Sequence, residues 1–152
     1  MNFQYRGAFR NFPDLCIKCR RIVAGVARGK PLKTGQPINF LTMIDPNTGR
    51  VQDSSHELYG DYLKSRVLVF PNAVGSSVGA YVLYSLKTKG LAPSAIICTN
   101  RTDTLTASAC AISNIPAVDI SENRAQLVSF MRPGTEVIVD AVECHIKIIK
   151  RN

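Results

Sequence analysis

Residues 66–84 read Arg-Val-Leu-Val-Phe-Pro-Asn-Ala-Val-Gly-Ser-Ser-Val-Gly-Ala-Tyr-Val-Leu-Tyr, an apolar strand that passes through a Gly-Ser-Ser turn into a helix. Val67 to Phe70 are apolar and rich in β-branched side chains, as a strand buried on both faces requires. Pro71 ends that run, because it offers no N–H to a sheet ladder. Beyond Ser76, the residues Val78, Tyr81, Val82, Ser85 and Leu86 recur at helical spacing, and Gly90 with Pro93 closes the helix. Ser76 or Ser77 therefore stands at the helix start, where unpaired backbone N–H groups and the positive end of the helix dipole favour an anion. A carboxylate, a phosphate or an alkoxide would suit that position. The same residues also satisfy a plainer requirement, since serine is a preferred helix cap and glycine permits a tight turn.

The segments around this unit define the fold class as α/β, a β layer attached to a mainly parallel α/β layer. After the first helix the pattern alternates: strand at Ala95 to Cys98, helix at about Asp103 to Ser113, strand at Ile115 to Val118, helix at Ser121 to Phe130, and strand at Glu136 to Val142. Ile146 to Ile149 reads as one more strand. Ahead of the unit, residues 21–29 and 37–44 read as strands, and Asp45-Pro-Asn-Thr-Gly49 as a tight turn. Residues 21–150 form the domain proper. Residues 1–20 lack a convincing period and read as a basic extension, solvated or only partly ordered.

Charge is distributed unevenly. Of the formal +8, residues 1–33 hold eight basic side chains against Asp14, while residues 34–152 hold eleven basic and ten acidic ones. A nucleic-acid surface on the folded core is thus disfavoured, although the extension, with Phe3, Tyr5, Phe9 and Phe12, could touch RNA or an acidic partner. No apolar run approaches the roughly 18 residues that cross a bilayer, and the N-terminus lacks the apolar stretch of a signal peptide, so a cytoplasmic protein is expected. The cysteines number five, an odd count that fits reduced thiols better than a disulfide framework. Cys16 and Cys19 have the spacing of half a zinc site or of a redox pair, but nothing completes four ligands, and no metal site is assigned to this chain. Cys98 and Cys110 read as core packing.

Ligands of open α/β sheets bind outside the carboxyl ends of the strands, which selects the loops 71–77, 99–103 and 119–122. In the second, Arg101 is a candidate clamp for a carboxylate or phosphate, beside the alternative of a solvated arginine in a loop whose Thr102 or Asp103 caps a helix. Gly75-x-Ser77-x-Gly79 also satisfies the nucleophile-elbow pattern of serine hydrolases, with Asp119 or Asp140 and then His145 following in workable order. Four residues, Asn72 to Gly75, separate Pro71 from the serines, a loop rather than a sharp elbow. His56 and His145 read as surface or turn residues.

With Gly25-x-Ala27-x-Gly29, Ile38-Asn-Phe40, Asp45-Pro-x-Thr-Gly49, Val67-Leu-Val-Phe-Pro71, the Gly75-Ser76-Ser77 turn, Gly90-x-Ala-Pro93-x-Ala95-Ile-Ile97 and Ile115-Pro116-x-Val-Asp119 in order, the chain resembles the aconitase X swivel-domain family over about residues 21–150. The resemblance implies a swivelling β/β/α domain that docks on a larger catalytic subunit, and a 4Fe-4S cluster held by that partner and not by this chain. It implies a hydro-lyase acting on a phosphorylated hydroxy acid, 5-phosphomevalonate, with Ser76 as the proton acceptor and Gly75, Ser77 and Arg101 as substrate-binding residues. Neither membrane nor nucleic acid belongs to that expectation. Classical aconitases follow their serines with arginine, whereas Val78 stands there in this chain, so carboxylate binding falls to Arg101 or to the partner.

Overall fold

The computed structural model of the chain describes residues 15–150. In chain order its elements are β1 (Leu15–Lys18), β2 (Arg20–Val23), β3 (Val26–Lys33), α1 (Phe40–Met43), β4 (Arg66–Phe70), α2 (Gly79–Thr88), β5 (Ala95–Cys98), α3 (Thr104–Ser113), β6 (Ala117–Asp119), α4 (Arg124–Phe130), β7 (Thr135–Asp140) and β8 (His145–Lys150). The described strands form one sheet in the order β1-β8-β7-β3-β4-β5-β6-β2. Pairing is parallel from β3 to β6 and antiparallel elsewhere.

Strand β3 serves the two halves in series. Val26 to Gly29 pair with β7, and Lys30 to Lys33 then pair with β4. Pro31 is tolerated there because each stretch of β3 has only one ladder to supply. Gly29 sits at the changeover, where a Cβ would run into the Ser65 carbonyl oxygen and meet Ser94 Oγ at 3.0 Å. The sheet folds at this corner, and burial records the outcome. Val67, Val69, Ala95, Ile97 and Val118 share a core with Val137, Val139, Ile146 and Ile148 of the antiparallel half and with Leu127 of α4. Leu68, Phe70, Ile96, Cys98 and Ala117 point the other way, into a second core completed by α1, α2 and α3. Both faces of the parallel strands are thereby covered, which is why Val67 to Phe70 of β4 and all of β5 are continuously apolar while β7 alternates buried with half-buried residues. Each fully buried Val, Leu or Phe contributes about 1.5–3 kcal/mol.

Three expectations need correction. Residues 37–44 are not a strand. Asn39 caps a short helix by accepting from Thr42 N at 3.3 Å, Phe40 and Ile44 then fall on one buried face, and Ile38 keeps only a single parallel bridge to Ala73. Phe40 meets Phe70 edge-on at 5.7 Å between ring centroids, a contact that helical geometry allows and an extended run would miss. The second correction concerns the extension assigned to residues 1–20. Its residues 15–20 belong to the sheet: Leu15 to Lys18 pair with Ile148 to His145, with Ile17 buried between exposed Cys16 and Lys18, and Arg20 opens β2. A period of two was present there but ran for only four residues. Residues 1–14, which hold Phe3, Tyr5, Phe9 and Phe12 but only Arg6 and Arg10 of the basic side chains, lie outside the described part. The stretch read as one strand over 21–29 is two, β2 and β3, separated at Ala24 and Gly25.

Candidate active site at the carboxyl edge of the parallel strands

Because β3, β4, β5 and β6 run parallel, the loops that follow them emerge on one edge. The loop after β4 holds Gly75, Ser76 and Ser77, all exposed. Ser76 Oγ accepts from Val78 N at 3.1 Å, a local turn in which the hydroxyl oxygen stands in for a backbone carbonyl. Gly79 N then donates to Ser76 O at 2.9 Å and Ala80 N to Ser77 O at 3.1 Å. The serines therefore precede α2 by a turn and are not its cap. Val78 occupies that position and supplies no side-chain bond. Both hydroxyls remain open to solvent at the amino end of a ten-residue helix.

Neighbouring loops fix this turn. Ile38 N donates to Asn72 O at 3.3 Å and Val74 N to Ile38 O at 3.0 Å, so the segment after β3 lies alongside the serine loop. Gly75 has φ +90°, and a Cβ there would stand 2.6 Å from Asn39 Cγ and nearer still to Nδ2. The glycine thus answers two demands at once, a left-handed backbone and a carboxamide pressed against its Cα. On the other side, Asp103 Oδ1 accepts Ala73 N at 2.9 Å while Oδ2 accepts Thr106 N at 2.9 Å, so one carboxylate caps α3 and anchors the serine loop.

Arg101 lies on the loop after β5, exposed, and its guanidinium bonds no group among the described residues. It shares an edge with the serines, and the structure records no bond between them. The loop that carries it is pinned by Asp119, which accepts from Thr102 N and Oγ1 at 2.8 Å and from Arg20 Nε at 2.9 Å. Burial alone would raise the Asp119 carboxyl, but the Arg20 and Thr102 bonds outweigh it and hold the group below the usual aspartate range. Both oxygens are engaged, so Asp119 reads as a positioning group. A cavity of about 500 Å³ opens on the same edge, lined in part by Lys33, Thr34, Glu57, Thr99 and Arg124, and the serine turn takes no part in it.

A hydrolase triad is not assembled. Among the described residues neither serine hydroxyl bonds a histidine. His56 meets Pro37 O and Leu58 N through its two ring nitrogens, and His145 opens β8 on the antiparallel half. Asp140 Oδ1 is taken by Val142 N and Glu143 N. The five cysteines are free, with Cys98 and Cys110 buried in the core as their sequence context suggests. Sequence reasoning missed Asn39 and its place beside Gly75. The available signal was an asparagine, a favoured capping residue, directly ahead of Phe40.

The sequence matches a model of the aconitase X swivel domain over residues 16–148. Over 125 residues it is 42% identical to the phosphomevalonate dehydratase small subunit of Methanothrix thermoacetophila, covering 82% of this chain and 88% of that one. The namesake of Methanosarcina mazei is 41% identical over 135 residues, with 89% and 92% covered. The fold superposes on the crystal structure of aconitase X from Thermococcus kodakaraensis in its holo-form with a TM-score of 0.80 and 38% identity, covering 90% of this chain and 99% of that one.

Proposed function

Because this chain belongs to the aconitase X swivel-domain family, we propose that it is the small subunit of a phosphomevalonate dehydratase, removing water from (R)-5-phosphomevalonate to give trans-anhydromevalonate 5-phosphate together with a large catalytic subunit. Its place is the archaeal mevalonate pathway, in the cytoplasm. No described helix is long and apolar enough to cross a membrane. The observation that carries the reading is the exposed Ser76 on a firmly held turn ahead of α2, at the edge where ligands of such sheets bind.

Loss of water from a 3-hydroxy acid needs a base at the carbon next to the carboxylate and a leaving hydroxide at the next carbon. In this reading Ser76 Oγ takes the proton, Gly75 and Ser77 present the turn to the substrate, and Arg101 pairs with one of its anionic groups. A serine hydroxyl is too weak an acid to serve as a base in open water. The amino end of α2 favours the alkoxide by about 0.3–1 kcal/mol, and exclusion of water must multiply that. Exposure of the turn supports a partner that supplies the exclusion, as do the exposed apolar residues around it: Leu41, Val74, Val78 at 50% and Tyr81 at 66% accessibility. The 4Fe-4S cluster of the proposal belongs to the large subunit. Among the described residues no group of three or more His, Cys, Asp or Glu side chains is placed to hold a metal, so these residues do not fit the cluster and no step is derived through it.

The test is co-expression with the large subunit under anoxic conditions and assay of 5-phosphomevalonate consumption. Ser76→Ala should co-elute with its partner as the native chain does and lose turnover by roughly 10²–10⁴-fold. Turnover within a few-fold of the native pair would remove Ser76 from the mechanism, and activity of this chain alone would refute the two-subunit reading.

A further inference from the structure

The residue that sequence reasoning passed over has one spare function, and its geometry dictates which. Asn39 is immobilised at almost every polar atom. Its backbone N meets Met43 Sδ at 3.3 Å, its carbonyl oxygen accepts Met43 N at 2.8 Å, and its Oδ1 accepts Thr42 N at 3.3 Å. The last bond settles the orientation of the carboxamide, since only the oxygen can accept. The whole carboxamide lies against Gly75, with Nδ2 nearer than Oδ1 to the position a Cβ would take. Among the described residues Nδ2 has no acceptor. Half-buried, rigid and one residue from Ser76, it is a neutral N–H donor held in place before any ligand arrives.

We infer that Asn39 is a further catalytic residue, whose Nδ2 donates a hydrogen bond to the substrate carboxylate at the turn of Gly75 and Ser76. The inference rests on the dehydratase reading and deepens it. When Ser76 takes the proton, the electron pair of the broken C–H bond moves onto the adjacent carboxylate. It then returns to form the double bond as the C–O bond breaks and hydroxide leaves. Negative charge on the carboxylate oxygens is therefore greatest between substrate and product, and a fixed donor aimed at them lowers the barrier without reorganising. Because the carbon that loses its proton bears the carboxylate, the group within reach of a residue packed on Gly75 is that carboxylate and not the distant phosphate. A short neutral donor also suits the site, since it adds to the charge supplied by Arg101 without competing for its position.

The experiment uses the reconstituted pair with Asn39→Asp, which keeps an oxygen for Thr42 N and replaces the donor with an acceptor. Expected are native co-elution with the large subunit, a fall in kcat of about 100-fold, as when one oxyanion donor is removed, and a raised KM. Inhibition by a phosphorylated analogue lacking the carboxylate should be the same in both forms. An Asn39→Asp pair with kcat within threefold of native would overturn the inference, and so would a loss that tracks failed assembly or equally weakened binding of the analogue. A native pair that leaves 5-phosphomevalonate untouched would instead remove the dehydratase reading and this inference with it.

Discussion

Replacing Gly75 with alanine tests how the serine turn is held, and the structure sets the size of the effect. An L-residue at φ +90° costs about 1–3 kcal/mol in backbone strain. The new methyl would also lie 2.6 Å from Asn39 Cγ and 2.9 Å from Oδ1, so the carboxamide must move and its bond to Thr42 N is lost. A lost cap costs about 1 kcal/mol. Together these amount to about 2–4 kcal/mol, which in a domain of this length lowers Tm by roughly 5–15 °C. Thermal unfolding followed by circular dichroism measures it. The collision can be isolated by adding Asn39→Ala: with the carboxamide gone, the second substitution should cost less than in the native background, by about 1 kcal/mol. A Gly75→Ala chain that melts within about 2 °C of native, or a pair of substitutions that simply add, would refute the argument.

Arg101→Ala should leave thermal stability within about 0.5 kcal/mol, since the exposed guanidinium makes no hydrogen bond or ion pair among the described residues, yet raise KM about tenfold or more in the reconstituted pair; an unchanged KM would release it from the site. Asp119 gives a pH dependence. Its carboxyl is held low in the folded chain, so its stabilisation is complete above the ordinary aspartate value of about 4 and is lost as pH falls through the lowered folded-state value. The Tm gap between native and Asp119→Asn should accordingly narrow in acid, and a gap independent of pH would contradict the assignment. Burial pushes the Cys98 thiol up to about 12, moves Cys110 the same way, and with nearby acidic groups carries Cys19 up to about 12. Brief iodoacetamide treatment at about pH 8 should therefore modify exposed Cys16 well before these three, with peptide mass spectrometry as the readout and early labelling of Cys98 as the contrary result.

The parallel half was legible because its strands are buried on both faces and α2 repeats its apolar residues at helical spacing. Val67 to Phe70 and Ala95 to Cys98 match their strands, and the Gly-Ser-Ser turn is found between strand and helix. What escaped was written in contacts between distant segments. Ile38 to Ile44 has strand-like composition, but its structure is decided by an asparagine cap and by Phe70, which lies far along the chain. Leu15 to Lys18 carries its period of two for only four residues, too few to stand out, and pairing with β8 makes it a strand. The edge loops were located by a general rule of α/β sheets, whereas the roles of Asp103 and Asp119 as fasteners depend on which loops lie side by side.

The serial use of β3 also constrains when the chain can complete its structure during synthesis. The parallel strands emerge from the ribosome before residues 135–150, the last stretch described, yet Val67, Val69 and Ile97 share their core with Val137, Val139, Ile146 and Ile148 of that stretch. Until that stretch is made, that side of the nascent sheet has little beyond Ile17, Leu127 and Met131 for cover and stays largely wet and adhesive. A chain stopped after Gly134 should bind a hydrophobic dye and a chaperone, and the native state should arise in one late, all-or-none event rather than by gradual vectorial growth.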